Sequence, residues 1–159
     1  MSESSGAGGQ GRRAGRPGWQ PGSMNYVDTF VAVAPDCPVS AGVVPPMRGD
    51  RTPAHLIQYE LIAANPYALT QEDVLWQVHV RHKGLQGEET SEEARAAFFA
   101  TPRACLRSSA LPKKYGWGIH FDPDGKAALY PMDSEEYRRF AQGDGSGPVV
   151  VAAMRSRRE

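Results

Sequence analysis

The spacing of apolar residues in the first half of the chain predicts a strand, a loop and a helix. Residues 26–34 are rich in β-branched and aromatic side chains, which favours a strand. Four prolines interrupt residues 35–52, so we expect an irregular loop there. Thr52 and Pro53 then supply a helix-start signal, a capping hydroxyl followed by a proline at the first helical position. Apolar residues recur at helical spacing after Pro53, and Pro66 ends the predicted helix.

Residues 74–81 alternate strictly between apolar and polar side chains. The apolar positions are Val74, Trp76, Val78 and Val80. Because successive side chains of a strand point to opposite faces, this period of two is typical of a strand with one buried face. We therefore predict a strand over residues 74–81, preceded by a single capped turn at residues 70–73.

The next stretch predicts a helix and an extended segment. Thr90 has capping-box spacing to Glu93, which indicates the start of a helix. Apolar residues follow at helical spacing, and Pro102 ends the helix. Residues 103–109 show no helical period, so we expect them to be extended.

The last third of the chain predicts a hairpin, a helix and a final strand. Residues 116–121 and 126–130 flank a turn of sequence DPDG at 122–125, in which proline presets the turn and glycine supplies a positive φ. A helix is predicted over residues 133–143, and residues 149–154 favour a last strand. Helices alternate irregularly with hairpin structure. The order therefore predicts one α+β domain with a mainly antiparallel sheet and about three helices.

The N-terminal residues differ from the rest of the chain. Residues 1–23 are dominated by glycine, serine and arginine, with Trp19 as their only aromatic side chain. Such a composition buries too little apolar surface to offset the entropy of ordering, so we predict a disordered tail over 1–23 and a single domain over 24–159. One interpretation is that the natural chain starts at Met24; the alternative is a basic arm that contacts nucleic acid.

Charge and cysteine content narrow the class of protein. The chain carries 18 basic and 18 acidic residues, a balance that argues against a nucleic-acid coat protein or a binder of acidic membranes. It contains no apolar run of about 20 residues and no apolar N-terminal signal. Two cysteines do not form a disulfide framework. We therefore expect a cytoplasmic protein with reduced thiols and no membrane partner.

Several stretches resemble one family. They are NYVDTFVAVAPDCP at 25–38, QYELIAANPYALTQEDVLW at 58–76, FFATPRACLRSSALPKKYGWGIHFDPDGKAALYP at 98–131 and MRSRR at 154–158. The sequence after Met24 is similar to a bacterial family catalogued only as domain of unknown function 6157. The resemblance implies no activity, substrate or catalytic residue. It also implies that the residues before Met24 are additional to the family.

The polar face of the predicted hairpin contains the first candidate site. On the arm at 116–121, alternation places His120 beside Gly118, on the face opposite Trp117. The glycines would leave space for a ligand next to His120. The alternative is that they only let Trp117 pack into the core.

A strand at 74–81 beside this hairpin would bring further polar side chains to the same face. The predicted ligand-binding residues are His79, Arg81, Arg107, Tyr115, His120 and Tyr130. Such groups suit an anionic or hydrogen-bonding small ligand. The alternative is a solvated sheet face.

Cysteine chemistry suggests a second candidate site. A thiolate nucleophile at Cys105 needs an imidazole within hydrogen-bond reach, from His79 or His120. The alternative is a buried, unreactive thiol, because Ala104 and Leu106 flank this cysteine. The spacing of the cysteines and histidines matches no compact ligand pattern, so we predict no metal site and no cofactor.

The sequence leaves three hypotheses for function. The first is a binding module for a small ligand or a protein partner. The second is an enzyme that uses His120 and Cys105. The third is a nucleic-acid-binding accessory protein, because Lys113, Lys114 and Tyr115 mix basic and aromatic groups. Acidic runs elsewhere balance these lysines, so a solvated basic turn is favoured over a nucleic-acid site.

Overall fold

The computed structural model describes residues 25–143 and 147–155. The tail predicted over residues 1–23 lies outside the described residues. The secondary structure is α+β, as the sequence predicts. The four strands are β1 (Thr29–Ala32), β2 (Trp117–Phe121), β3 (Ala127–Pro131) and β4 (Val149–Ala152). The five helices are α1 (Ala54–Ala64), α2 (Gln71–Lys83), α3 (Glu92–Ala100), α4 (Ala110–Lys114) and α5 (Glu135–Gln142). Short 3₁₀ helices span Gly87–Thr90 and Leu106–Ser108.

The strands form one mixed sheet in the order β3-β2-β1-β4. β2 pairs antiparallel with both β1 and β3, whereas β4 pairs parallel with β1. The prediction of a mainly antiparallel sheet therefore needs correction. The parallel pair arises because the chain leaves β3 at one edge, passes through α5, and returns as β4 at the other edge beyond β1.

The predicted strand over residues 74–81 is wrong, because these residues belong to helix α2. Thr70 caps the helix, accepting a hydrogen bond from the Asp73 N–H at 3.1 Å while the Asp73 carboxylate accepts from the Thr70 N–H at 3.0 Å. Gly84 ends it in the left-handed conformation, at φ 67°. These two signals fix residues 71–83 as a helix. The alternating apolar side chains fit this helix because two of its sides are packed against other elements. Val74 and Val78 face the main core, while Trp76 contacts Phe98 of α3.

Residues 25–143 and 147–155 contain five helices where the sequence predicted about three. The two additional helices are α2 and α4. The segment predicted to be extended, residues 103–109, contains a 3₁₀ turn, and α4 follows directly after it. Ser109 starts α4, because its hydroxyl accepts from the Leu111 N–H at 3.1 Å. Predicted caps also shift by one residue. The capping hydroxyl of α3 belongs to Ser91 rather than Thr90, and α1 begins after Pro53 with no side-chain cap from Thr52.

Helices cover both faces of the sheet. On the first face, Ile119 and Phe121 of β2 join the main core with side chains of α1 and α2. On the second face, Phe30 of β1 is fully buried against α5, where its ring packs on Tyr137 and Phe140. The second face of the sheet is therefore a packed layer.

Trp117 and Gly118 show how each face is built. Trp117 is half-buried against Tyr59 of α1, and its indole N–H donates to the Val43 carbonyl at 2.8 Å. A Cβ at position 118 would lie 2.5 Å from Phe30 and 2.7 Å from Tyr137. Gly118 is therefore the residue that lets these rings approach the sheet closely.

Candidate functional site

The predicted ligand-binding residues are distributed over five places. His120 and Tyr130 lie on the second face of the sheet. His79 lies on α2, where its ring packs against Phe98 of α3 with centroids 4.5 Å apart. Arg107 lies in the 3₁₀ turn before α4, and Arg81 lies in the last turn of α2. Tyr115 follows α4. The structure therefore does not bring this set into one pocket.

His120 and Tyr130 meet through Tyr67, which the sequence analysis did not select. The Tyr67 hydroxyl lies 2.9 Å from Nδ1 of His120 and 2.7 Å from the Tyr130 hydroxyl. The His120 ring also stacks on Phe140 of α5, with centroids 4.2 Å apart. Burial lowers the pKa of His120, although Asp122 and Asp28 oppose this effect. We therefore expect a neutral imidazole near neutral pH.

The Tyr67 backbone joins the same cluster to the edge of the sheet. Its N–H donates to the Ala127 carbonyl at 2.9 Å, and its φ is 59°, a conformation uncommon for an aromatic residue. Burial raises the pKa of Tyr67, and its hydrogen bond with Tyr130 raises it further. These contacts fasten the connection between α1 and α2 to β3. No sequence signal selects Tyr67, because the contact depends on the turn after α1.

Cys105 lies beside Tyr26 rather than beside a histidine. The Tyr26 hydroxyl donates to the Cys105 sulfur at 3.5 Å, and burial raises the pKa of this tyrosine to about 12. A protonated phenol does not remove a proton from a thiol. The Arg107 Nε–H donates to the Ala152 carbonyl at 2.9 Å, which links this segment to β4. The geometry differs from the cysteine–histidine pair that the enzyme hypothesis requires.

A basic pocket of about 850 Å³ forms where the start of α1 meets the end of α2. Its basic lining side chains are Arg48, Arg51, His55, Arg81, His82 and Lys83. The rest of the lining is uncharged and comes from Thr52, Pro53, Ala54 and Ile57. We call this cavity the basic pocket. It contains Arg81 from the predicted set, together with five basic residues that the sequence analysis did not assign to a site.

Local backbone geometry places the first pair of arginines in the basic pocket. Arg48 and Arg51 exchange two backbone hydrogen bonds of 3.0 Å across a tight turn, in which Gly49 has φ 63°. Residues directly opposite each other in such a bridge extend their side chains to the same side. The turn therefore presents both guanidinium groups together, although 18 acidic residues balance the chain as a whole.

The second group of basic residues comes from the last turn of α2. Arg81, His82 and Lys83 are consecutive there, and α1 packs against α2 so that this turn lies beside residues 52–57. Basic side chains at a helix C-terminus also stabilise the helix dipole. That effect accounts for the position of Arg81 and Lys83, but not for the arginine pair that faces them.

His55 lies in the wall of the basic pocket. Its ring stacks on Tyr115, with centroids 5.2 Å apart, so Tyr115 from the predicted set supports the pocket from behind. Burial lowers the pKa of His55, and the positive charges of Arg48 and Lys114 lower it further. These two positive charges disfavour another cation beside His55 and would favour an anion.

Comparison with known proteins identifies the family. Residues 22–159 match the profile of a family described as family of unknown function, DUF6157. The chain belongs to the DUF6157 family. This confirms the resemblance found in the sequence, while the bacterial origin stays a prediction. No curated protein and no solved structure matches the chain. Membership of DUF6157 brings no activity with it.

Within residues 25–143 and 147–155, no group of three or more His, Cys, Asp and Glu side chains could hold a metal ion. Among the same residues, no helix is long and apolar enough to cross a membrane.

Proposed function

We propose that the chain is a binding module for a small phosphate-bearing ligand, and that the basic pocket is its binding site. One observation carries the proposal. In a chain with equal numbers of acidic and basic residues, the lining of one cavity contains six basic side chains and no acidic one. The like charges that line the basic pocket repel each other, so an anion that binds there removes an unfavourable interaction.

The volume and the lining groups of the basic pocket favour a small ligand. Its volume of about 850 Å³ falls within the range of about 300–1,000 Å³ that is usual for small-molecule sites. Three of the six basic side chains are arginines, whose planar guanidinium groups can each donate two parallel hydrogen bonds to a phosphate. The first turn of α1 borders the pocket and contains no acidic residue, so its positive dipole end adds to the field.

Binding of inorganic pyrophosphate tests the proposal. We expect saturable binding in isothermal titration calorimetry at low ionic strength, weakening as salt is added because Arg48, Arg51, Arg81 and Lys83 are exposed. Arg81→Gln should lower the affinity about 10-fold or more, since hydrogen bonds to charged groups contribute about 1.5–3 kcal/mol. The matched control is Arg138→Gln, an exposed arginine of α5 outside the basic pocket.

The control decides how the result is interpreted. An equal loss in Arg81→Gln and Arg138→Gln would indicate attraction by overall charge rather than a site. Absence of saturable binding of both pyrophosphate and an organic phosphate, fructose 1,6-bisphosphate, to the unmodified protein would contradict the proposed function.

The proposal also covers the domain organisation and the cellular location of the chain. We infer that residues 24–159 act as one domain and that the chain works in the cytoplasm. The chain has two cysteines, too few for a disulfide framework, and this composition favours a reducing compartment. A small ligand, rather than a membrane or a nucleic acid, is the partner that the basic pocket favours.

A further inference from the structure

The charges of the basic pocket come from two separate elements. Arg48 and Arg51 belong to the turn before α1, and Arg81 and Lys83 belong to the last turn of α2. Helix α1, which follows the arginine turn, packs side by side with α2, and packed helices lie about 8–10 Å apart. The basic pocket therefore offers two cationic groups, each containing two permanent positive charges.

The number of charges limits how many anionic groups the ligand carries. Two cations in the turn and two at the end of α2 give four permanent positive charges, before either histidine is counted. One phosphate group carries about −1.5 to −2 charges at neutral pH. Two phosphate groups would therefore match the four cations, whereas one would leave about half of their positive charge without a counterion.

The uncharged lining indicates what lies between the phosphates. Pro53, Ala54 and Ile57 at the start of α1 supply apolar surface to the same cavity. An inorganic anion gains no favourable contact from apolar surface, whereas an organic molecule does. The volume of about 850 Å³ is also suited to an organic molecule.

We infer that the ligand is a small organic molecule with two phosphate groups, one bound by Arg48 and Arg51 and the other by Arg81 and Lys83. This inference rests on the proposed function. It adds the ligand class and assigns a separate role to each cationic group.

Two matched pairs of probes test the inference on the full chain. The pairs are fructose 1,6-bisphosphate with fructose 6-phosphate, and inorganic pyrophosphate with inorganic phosphate. They present two phosphates at two different spacings. We expect the better of the two double phosphates to bind about 10–100-fold more tightly than its single-phosphate partner, because the second group adds charge-assisted hydrogen bonds.

Paired substitutions then assign each cationic group. Arg48→Gln with Arg51→Gln, and separately Arg81→Gln with Lys83→Gln, should each reduce the affinity for the double phosphate to about that of the single phosphate. Each pair should weaken the single phosphate less, because it can still bind the group that remains. Arg138→Gln should change neither affinity, and circular dichroism melting verifies that all variants are folded.

The outcomes separate the inference from the proposed function. Equal affinity for single and double phosphates in both pairs would overturn the two-phosphate inference and leave the phosphate site standing. No binding of any probe would overturn the proposed function and the inference together. Tighter binding of a single-stranded RNA of about 12 nucleotides than of either double phosphate would overturn the inference in favour of a nucleic-acid site.

Discussion

Gly118→Ala tests whether α5 packs directly on the sheet around His120. The added Cβ would lie 2.5 Å from Cζ of Phe30 and 2.7 Å from Cε2 of Tyr137. Ordinary contacts between carbon atoms are about 3.5–4.0 Å, so at least one ring has to move by about 1 Å. Phe30 is fully buried, and it already packs on Tyr137 and Phe140, so neither ring can move freely.

The expected cost is that of overpacking a core, about 1–3 kcal/mol in the free energy of unfolding. For a chain of this size, each kcal/mol lowers the melting temperature by about 2–4 °C. Urea unfolding followed by circular dichroism measures the first quantity and thermal melting the second. Gly147→Ala is the matched control, because a Cβ at that position meets nothing within 4 Å.

A second variant identifies the cause of the loss. Tyr137→Leu removes the ring atom Cε2, which the added Cβ would meet at 2.7 Å, so combining it with Gly118→Ala should destabilise the protein by less than the sum of the two single changes. If Gly118→Ala is as stable as the Gly147→Ala control, the packing of Phe30 and Tyr137 over Gly118 is refuted.

Three further predictions concern the basic pocket, the cluster around His120 and helix α2. The pKa of His55 is lowered in the free pocket by burial, Arg48 and Lys114, and a bound anion favours the protonated ring. The affinity for sulfate should therefore rise as pH falls below about 7 and level off below the lowered pKa. His55→Gln should flatten this calorimetric profile, and a fully retained profile would contradict a role for His55 in anion binding. His120→Asn should cost about 0.5–1.5 kcal/mol in urea unfolding through its bond with Tyr67, and pyrophosphate affinity should not change; a changed affinity would move the site to His120. Thr70→Ala should cost about 0.5–2 kcal/mol in the same assay by removing the cap of α2, whereas an unchanged stability would show that the cap does not hold the helix.

Local signals in the sequence were sufficient for the hairpin. The DPDG turn forms as predicted, with the Gly125 N–H donating to the Asp122 carbonyl at 2.8 Å and Gly125 at φ 81°. The Asp122 carboxylate also accepts from the Asp124 N–H at 3.0 Å. All of these interactions lie within four residues, so the local sequence is enough to specify them.

Helix α2 shows where local signals were misleading. In a strand, the alternating apolar side chains of residues 74–81 would share one buried face. In helix α2 they point to two different sides, and both sides have partners. The main core contacts Val74, and Phe98 of α3 contacts Trp76. The capping pair of Thr70 and Asp73 was the better guide, because it fixes the first turn whatever packs later.

The basic pocket could not be predicted because its cations are far apart in the sequence. Arg51 and Arg81 are separated by the whole of α1 and most of α2, and only the packing of these helices brings them together. A strand over residues 74–81 would have directed Arg81 towards the hairpin instead. The Tyr67 cluster was missed for a related reason, since a positive φ in the turn after α1 carries that ring to His120.

Amide chemical shifts recorded while inorganic pyrophosphate is added to the ¹⁵N-labelled full chain test the central claim most directly. We expect saturable shifts concentrated at residues 48–57 and 81–83, the two segments that line the basic pocket. The same titration of Arg81→Gln should need a higher pyrophosphate concentration to reach half-saturation. Saturable shifts centred on Tyr67, His120 and Tyr130, or small shifts spread over every basic residue, would contradict a phosphate site in the basic pocket.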